Sequence, residues 1–417
     1  MDRIEIEGGT ALEGTVSVNG SKNAALPIMT ACLLATGPCE LERIPKLRDI
    51  DTMCRVLESL GVTSYWASDG VVLVDPTELN RHEAPYDLVR TMRASICVLG
   101  PLLAKLGKAK VAMPGGCAIG ARPIDLHLKG LEQMGAKIKV EGGYVVAECK
   151  KLKGARIYLD TPSVGASENL MMAACLADGQ TEIENAAREP EIEDLADFLN
   201  QLGAEVYGSG TDTIQIQGKS ELGTANHPVL PDRIEAATLM MAGAMTSGHI
   251  RLQGANPQHL ETPIAKLREL GVEINLIADE IEVSSPDRLE PCHVKTLPYP
   301  GYPTDVQAQI MALLCTASGT STITETVFEN RFMHVGELRR MGAQIEIEGN
   351  TAIIWGKQKL SGAEVMASDL RASAALLLAG LRAEGKTTIS RVYHLDRGYQ
   401  RIEERLADLG AQITRVK

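Results

Sequence analysis

Aromatic side chains are scarce in this 417-residue chain, which has three Phe, two Trp and nine Tyr. That scarcity excludes the stacking platforms that hold single-stranded nucleic acid, and it requires cores built from aliphatic residues. A basic surface is also missing. The net charge is −12, whereas proteins that grip phosphate backbones need an excess of Lys and Arg. No apolar run reaches the ~18 residues of a membrane span. The opening MDRIEIEGGT lacks a charged segment followed by an apolar one. These absences predict a cytoplasmic protein with neither nucleic-acid nor membrane partners. The nine cysteines form no CxxC pair and are mostly scattered through apolar segments, such as Cys32, Cys175 and Cys315. Reduced thiols fit that pattern better than disulfides or a zinc site, and no metal ligand set is expected.

What the chain does have is repetition. A helix-stopping glycine follows an apolar turn and precedes a β-rich run at Gly61, Gly135, Gly203, Gly271, Gly342 and Gly410, with spacings of 74, 68, 68, 71 and 68. An earlier set, Gly37, Gly107, Gly179, Gly248, Gly319 and Gly385, is expected to end a first helix in each copy in the same manner. Between the stops the apolar residues recur at helical spacing, as in Val306, Ile310, Leu313 and Leu314, or Leu195, Phe198, Leu199 and Leu202. After the second glycine the pattern alternates, as in KIKVEGGYVVAE from Lys137, where Gly142 and Gly143 mark a hairpin turn. The unit is therefore βαβαββ, about 70 residues long, used six times. No Pro/Ser-rich linker separates the copies, so composition leaves open one array or two domains. NHPVLPDR, Asn226 to Arg233, is a candidate crossover after the third copy.

Function is sought where the copies differ. The distance between the two glycine stops is 24, 28, 24, 23, 23 and 25 residues, so the second copy carries about four extra. They fall in PGGCAIGARP, Pro114 to Pro123, a composition suited to a mobile loop. Cys117 at its tip is either a small space-filling residue or a thiol whose thiolate is favoured by the nearby cations Arg122 and Lys129. A second anomaly is cationic. Lys22, Arg93, Arg233 and Arg371 stand in or beside the opening turns of first helices, where the helix dipole disfavours positive charge unless an anion joins it. Each is either a solvated or Asp-paired cation, with Asp232 and Asp369 at hand, or part of a phosphate or carboxylate site. Asp305, in PTDVQA, opens the fifth copy's first helix as an N-cap or as a base facing those anion sites.

Across these residues the sequence closely resembles the UDP-N-acetylglucosamine 1-carboxyvinyltransferases, essentially end to end. The most specific stretches are SKNAALPI at Ser21, RTMRAS at Arg90, PGGCAIGARPIDLHLKGLEQMGA at Pro114, PTDVQAQ at Pro303, ENRFMH at Glu329, DLRASA at Asp369 and DRGYQRIE at Asp396. Shikimate-directed relatives share the fold but lack the cysteine loop and RPIDLH. The resemblance implies an α/β fold: a two-domain inside-out α/β barrel of six βαβαββ repeats, three per domain, with an active-site cleft between the domains. One domain would be residues 22–229, with the Cys117 loop, and the other residues 1–21 plus 230–417.

The activity it implies is transfer of the enolpyruvyl group of phosphoenolpyruvate to the sugar 3′-hydroxyl, committing the sugar nucleotide to peptidoglycan, with no cofactor. Lys22, Asn23, Arg122 and Arg397 would hold phosphoenolpyruvate, with Arg331 and Arg371 lining the anion site. Asp305 would take the hydroxyl proton and Asp369 would assist proton movement. Cys117 would protonate the vinyl carbon and can add covalently to phosphoenolpyruvate; fosfomycin-type epoxides are expected to alkylate it. The sugar nucleotide would meet Arg93, Arg122, Pro123, Ile124, Asp125, Leu126, His127, Ser163, Val164, Gly165, Asp305 and Val327.

Overall fold

The computed structural model describes residues 2–90, 92–113, 124–356 and 359–417. By internal packing the chain divides into two units. One comprises the stretch up to Asn19 with Pro231–Lys417, and the other holds the described residues from Gly20 to Leu230. Among the described residues there are six four-stranded sheets, three in each unit. The third copy displays the plan. Strand Arg156–Tyr158 leads through helix Val164–Ala174 to the parallel strand Gln180–Glu184, then through helix Pro190–Gln201 to Glu205–Tyr207 and Thr213–Gln217. Its strands lie in the order first, second, fourth, third, with antiparallel pairing after the first pair. The parallel pair requires the crossover helix, because a tight turn can join only antiparallel strands.

Burial divides the layers. Every residue of the first helices Arg233–Met245 and Gln307–Leu314 is buried, and these pack on each other and on Leu370–Arg382. Helices apolar on all sides belong in an interior. Strands such as His249–Gln253 instead alternate exposed and buried, presenting one face to the helices and the other to solvent. Within each unit the first helices are thus inside, with the sheets presenting their outer faces to solvent. Two separate aliphatic cores result. Each fully buried Leu, Ile or Val contributes roughly 1.5–3 kcal/mol.

The second-helix glycines all adopt φ between +88° and +99°, the left-handed region open to glycine without strain. Beyond each, the next amide donates back five residues to a leucine carbonyl: Val62 to Leu57, Ala136 to Leu131, Ala204 to Leu199, Val272 to Leu267, Ala343 to Leu338 and Ala411 to Leu406. That is the Schellman closure, made six times. Gly142 and Gly143, both at positive φ, form the expected hairpin turn.

The earlier glycines behave differently from expectation. Gly107 caps the helix Leu99–Leu106, but Gly179, Gly319 and Gly385 stand at strand starts beyond the helix ends, and Gly37 and Gly248 are not left-handed. Gly248 is required by a close approach, since a Cβ there would lie 2.3 Å from the Leu12 carbonyl oxygen.

The copies are also less contiguous than the repeat suggests. Strand Glu13–Ser17 directly precedes helix Lys22–Ala31, yet it pairs with His249–Gln253 of the fourth copy. Asn226–Pro228, within the segment expected to be a crossover, is itself a strand. It precedes helix Arg233–Met245 but pairs with Cys39–Glu42 of the first copy. The first and fourth copies have exchanged opening strands at the two points where the chain passes between units. The sixth copy is completed from the other end of the chain, by Arg3–Glu7 between Lys386–Ser390 and Gln412–Val416.

Candidate active site

Asp305 lies in the short 3-10 turn Thr304–Val306, whose N-cap is Pro303, so its side chain does not cap the helix. Both carboxylate oxygens instead accept from arginines: Oδ1 from Arg331 Nη2 and Oδ2 from Arg371 Nη2, each at 2.8 Å. Both guanidinium groups are buried. Arg371 is reached from the second residue of helix Leu370–Arg382, whose N-cap Asp369 accepts the amides of Arg371 and Ala372. Burial pushes the Arg371 guanidinium pKa down, but Asp305, Tyr399 and Asp232 together outweigh it, so it stands above its usual value. Arg371 is Asp-paired, through Asp305 and not through Asp369.

Tyr399, 1% exposed, lies beneath this cluster. Its hydroxyl contacts Thr238 Oγ1 at 3.0 Å, Gln309 Nε2 at 3.1 Å and Arg371 Nη1 at 3.4 Å. Gln309 also donates to the Asp305 main-chain oxygen at 2.9 Å. Arg233, Arg331 and Arg371 lie 5.6, 5.4 and 5.8 Å from the ring centroids of Tyr299, Phe328 and Tyr399.

The loop before Arg331 is organised by Glu325. This buried carboxylate accepts from Thr296 Oγ1, Thr304 Oγ1 and the amides of Val327 and Phe328. Val327, expected at the sugar nucleotide, therefore has its amide committed to Glu325. His334 is 1% exposed; burial, with the charge of Arg331, pushes its pKa from 6.5 to about 4 against the pull of Asp369. Arg397 ends the turn Val392–Arg397 and is half-buried. Its neighbour Asp396 is held in a fork by Arg415, at 3.1 and 2.6 Å.

In the other unit Lys22 opens helix Lys22–Ala31 behind the N-cap Ser21, and its ammonium lies 3.5 Å from the buried Asp49. Asn23 follows, half-buried. Arg93 opens the 3-10 turn Arg93–Val98. His127 sits in helix Asp125–Gln133, after the buried Ile124 and half-buried Leu126, with Asp125 exposed at its start. Burial, then the charge of Arg93, lowers the His127 pKa to about 4 against the pull of Asp125.

The state of His127 follows from its partner. Asn169 Oδ1 accepts the Gly100 amide at 2.7 Å, so its Nδ2 is the group 2.9 Å from His127 Nδ1. A neutral imidazole accepting at Nδ1 carries its proton on Nε2. The ring lies against Gly165, where a Cβ would be 3.4 Å from Cε1. Ser163 caps helix Val164–Ala174, its hydroxyl accepting the Ala166 amide, and Val164 is the first helical residue.

Pro114 to Pro123, with Cys117, Arg122 and Pro123, lie outside the described residues. Lys129, expected to favour the Cys117 thiolate, pairs with Asp160 at 3.4 Å. Eight described cysteines are free thiols, most of them buried. Among the described residues no His, Cys, Asp and Glu group has the makeup of a metal site, and no helix is long and apolar enough to cross a membrane. Asn169, Glu325, Gln309 and Tyr399 were not singled out from sequence. The available signal for the first and third is a polar residue inside an otherwise apolar helical run.

Comparison with known proteins adds relatives to this geometry. The sequence model of the EPSP synthase (3-phosphoshikimate 1-carboxyvinyltransferase) family matches residues 6–406. The chain is 58% identical to a UDP-N-acetylglucosamine 1-carboxyvinyltransferase of Geobacter metallireducens, covering 100% of both chains. It is 57% identical to that of Trichlorobacter lovleyi, covering 100% of this chain and 99% of the relative. Among solved structures it is similar to the enolpyruvyl transferase NikO from Streptomyces tendae, with 25% identity, TM-score 0.90, and 100% and 99% of the two chains covered. An EPSP synthase from Acinetobacter baumannii, 20% identical with TM-score 0.79 over 100% of both chains, shares the fold.

Proposed function

The chain belongs to the UDP-N-acetylglucosamine 1-carboxyvinyltransferase family, and on that premise we propose that it transfers the enolpyruvyl group of phosphoenolpyruvate to the 3′-hydroxyl of UDP-N-acetylglucosamine, releasing phosphate. The observation that carries this reading is identity above one half over the full length of both chains. The product is the first committed intermediate of peptidoglycan. Both substrates are multiply charged and cross membranes poorly, which favours a cytoplasmic location.

In this reaction the 3′-oxygen bonds to C2 of phosphoenolpyruvate while a proton adds to its C3 methylene. Loss of a C3 proton, and of phosphate with the C–O electron pair, then restores the double bond. Asp305 is the proposed base. Each of its oxygens accepts from an arginine, and a carboxylate oxygen can accept more than one hydrogen bond, so the sugar hydroxyl is proposed to approach the same carboxylate. Two guanidinium partners hold the carboxylate in a fixed position, which suits proton removal concerted with C–O bond formation. Arg331 and Arg371, with Lys22, Asn23, Arg122 and Arg397, are proposed to meet the anionic groups of phosphoenolpyruvate and the charge that builds at the departing phosphate. Asp369 is proposed to assist proton movement.

Cys117 is the proposed proton donor to C3 and the site of a covalent phosphoenolpyruvate adduct. Arg93, Arg122 to His127, Ser163 to Gly165 and Val327 are the proposed contacts of the sugar nucleotide. His127 offers it a neutral Nε2–H donor, fixed in tautomer by Asn169.

Phosphate release from phosphoenolpyruvate, measured with UDP-N-acetylglucosamine and separately with shikimate 3-phosphate, tests the assignment. Release with the first acceptor is expected, and release with the second alone would overturn it. Intact mass should show a phosphoenolpyruvate adduct, and a stoichiometric adduct with a fosfomycin-type epoxide, both lost in Cys117→Ser. An adduct retained in that variant would assign the nucleophile to another residue.

A further inference from the structure

We propose that Tyr399 is a positioning residue for enolpyruvyl transfer: its hydroxyl holds the Arg371 guanidinium in place and, through it, the carboxylate of Asp305, which it does not touch. This rests on the assignment of Asp305 as the base.

Counting protons fixes the direction of the Thr238–Tyr399 contact, while Gln309 Nε2 shares its two protons among Tyr399, the Asp305 main-chain carbonyl and Thr238 Oγ1, the last at 3.1 Å. Thr238 has one hydroxyl proton, and it goes to the Ile234 carbonyl at 2.8 Å. In the 3.0 Å contact between Thr238 and Tyr399 the tyrosine is therefore the donor. Its oxygen is left as an acceptor only, for Gln309 Nε2 at 3.1 Å and Arg371 Nη1 at 3.4 Å. The Gln309 amide cannot be reversed, because its nitrogen also meets the Asp305 main-chain carbonyl, which can only accept.

The outcome is a fixed relay. Tyr399 holds one arm of the guanidinium while the other arm, Nη2, donates to Asp305 Oδ2. Gln309 holds the main chain of the same aspartate. Thr238, Gln309 and Arg371 come one each from the three first helices of this unit, so the cluster registers their mutual placement. Burial pushes the Tyr399 hydroxyl up, so it stays protonated and the relay keeps one polarity across neutral pH. The phenol ring lies under the guanidinium as well, and substitution by Phe preserves that contact while removing the hydroxyl alone.

The alternative is that the cluster only stabilises the core. Four proteins separate the two: wild type, Tyr399→Phe, Arg371→Lys and the double variant, each assayed for phosphate release with both substrates. Loss of a hydrogen bond to a charged group predicts that Tyr399→Phe lowers kcat about tenfold. KM for the sugar nucleotide should stay within about twofold, and the tyrosine change should add nothing in the Arg371→Lys background. A wild-type kcat in Tyr399→Phe, or effects that multiply in the double variant, would overturn the proposal. The crystal structure of Tyr399→Phe tests the geometry apart from activity. Arg371 Nη2 displaced from Asp305 is expected, and an unmoved guanidinium would count against the relay even if wild type released no phosphate. That last result, inactive wild type, would by itself overturn only the assigned reaction.

Discussion

In the unit that contains residues 231–417 the buried cations among the described residues are Arg233, Arg331 and Arg371, each over an aromatic ring, and two of them close on one carboxylate. In the unit from Gly20 to Leu230 the buried cation among the described residues is Lys22, and the buried His127, beside Asn169, is a neutral imidazole. Both units use the same three-copy scaffold with first helices inside. Each unit holds a buried neutral imidazole, but the first gathers three buried guanidinium groups, two of them on one carboxylate, while the second pairs one ammonium with Asp49 and sets the tautomer of His127 by an amide. Charge that must stay put suits the chemistry of phosphoenolpyruvate, and a fixed donor and acceptor pattern suits recognition of a sugar nucleotide.

The largest difference between the units should appear on removal of a paired acid. Asp305→Ala leaves two buried guanidinium groups without their shared carboxylate and should cost about 3–5 kcal/mol by urea unfolding. Asp49→Ala leaves one ammonium and should cost less, about 1–3 kcal/mol. Equal losses would erase the contrast.

Next comes pH, where the units should behave alike. His127 and His334 each fall from an ordinary 6.5 to about 4 on folding. The unfolded chain then binds more protons between those values, so stability is fully present above pH 6.5 and is lost as pH falls towards 4, by about 3 kcal/mol per histidine. Urea midpoints at pH 7.5 and 5 should converge in His127→Gln and again in His334→Gln. Unchanged slopes would contradict the buried neutral state.

Asn169→Ala frees the His127 tautomer and should raise KM for UDP-N-acetylglucosamine about fivefold with kcat nearly unchanged, since one hydrogen bond to substrate is worth about 1 kcal/mol. A fall in kcat alone would instead give this unit a role in the chemistry. The smallest effect is expected at Glu168, whose burial, reinforced by the charge of Glu191, raises its pKa well above the usual range. Glu168→Gln resembles the protonated acid and should shift stability by no more than about 1 kcal/mol, measured by the same unfolding assay.

Much of the scaffold was readable because its signals are local. Six glycines after leucine-bearing turns predict six Schellman closures, and alternation around Gly142 predicts a hairpin. Strand exchange was not readable. Glu13–Ser17 and Asn226–Pro228 each precede a first helix as the repeat demands, and nothing local says that each pairs in the other's copy. The cations at Lys22, Arg233 and Arg371 were legible as misfits with the helix dipole, but their partners were not, because Asp305 reaches Arg331 and Arg371 across 26 and 66 residues of sequence. The scarce aromatics gave no hint of the rings beneath three arginines. Glu325 and Asn169 escaped notice because their work is done on other functional groups and on the main chain.

The most direct test of the account is the turnover of Asp305→Asn at saturating phosphoenolpyruvate and UDP-N-acetylglucosamine, followed by phosphate release. Loss of a general base predicts a fall in kcat of about a thousandfold, with KM for the sugar nucleotide within a few-fold of wild type. A kcat within threefold of wild type would show that the carboxylate clamped by Arg331 and Arg371 only balances charge, and that the base lies elsewhere.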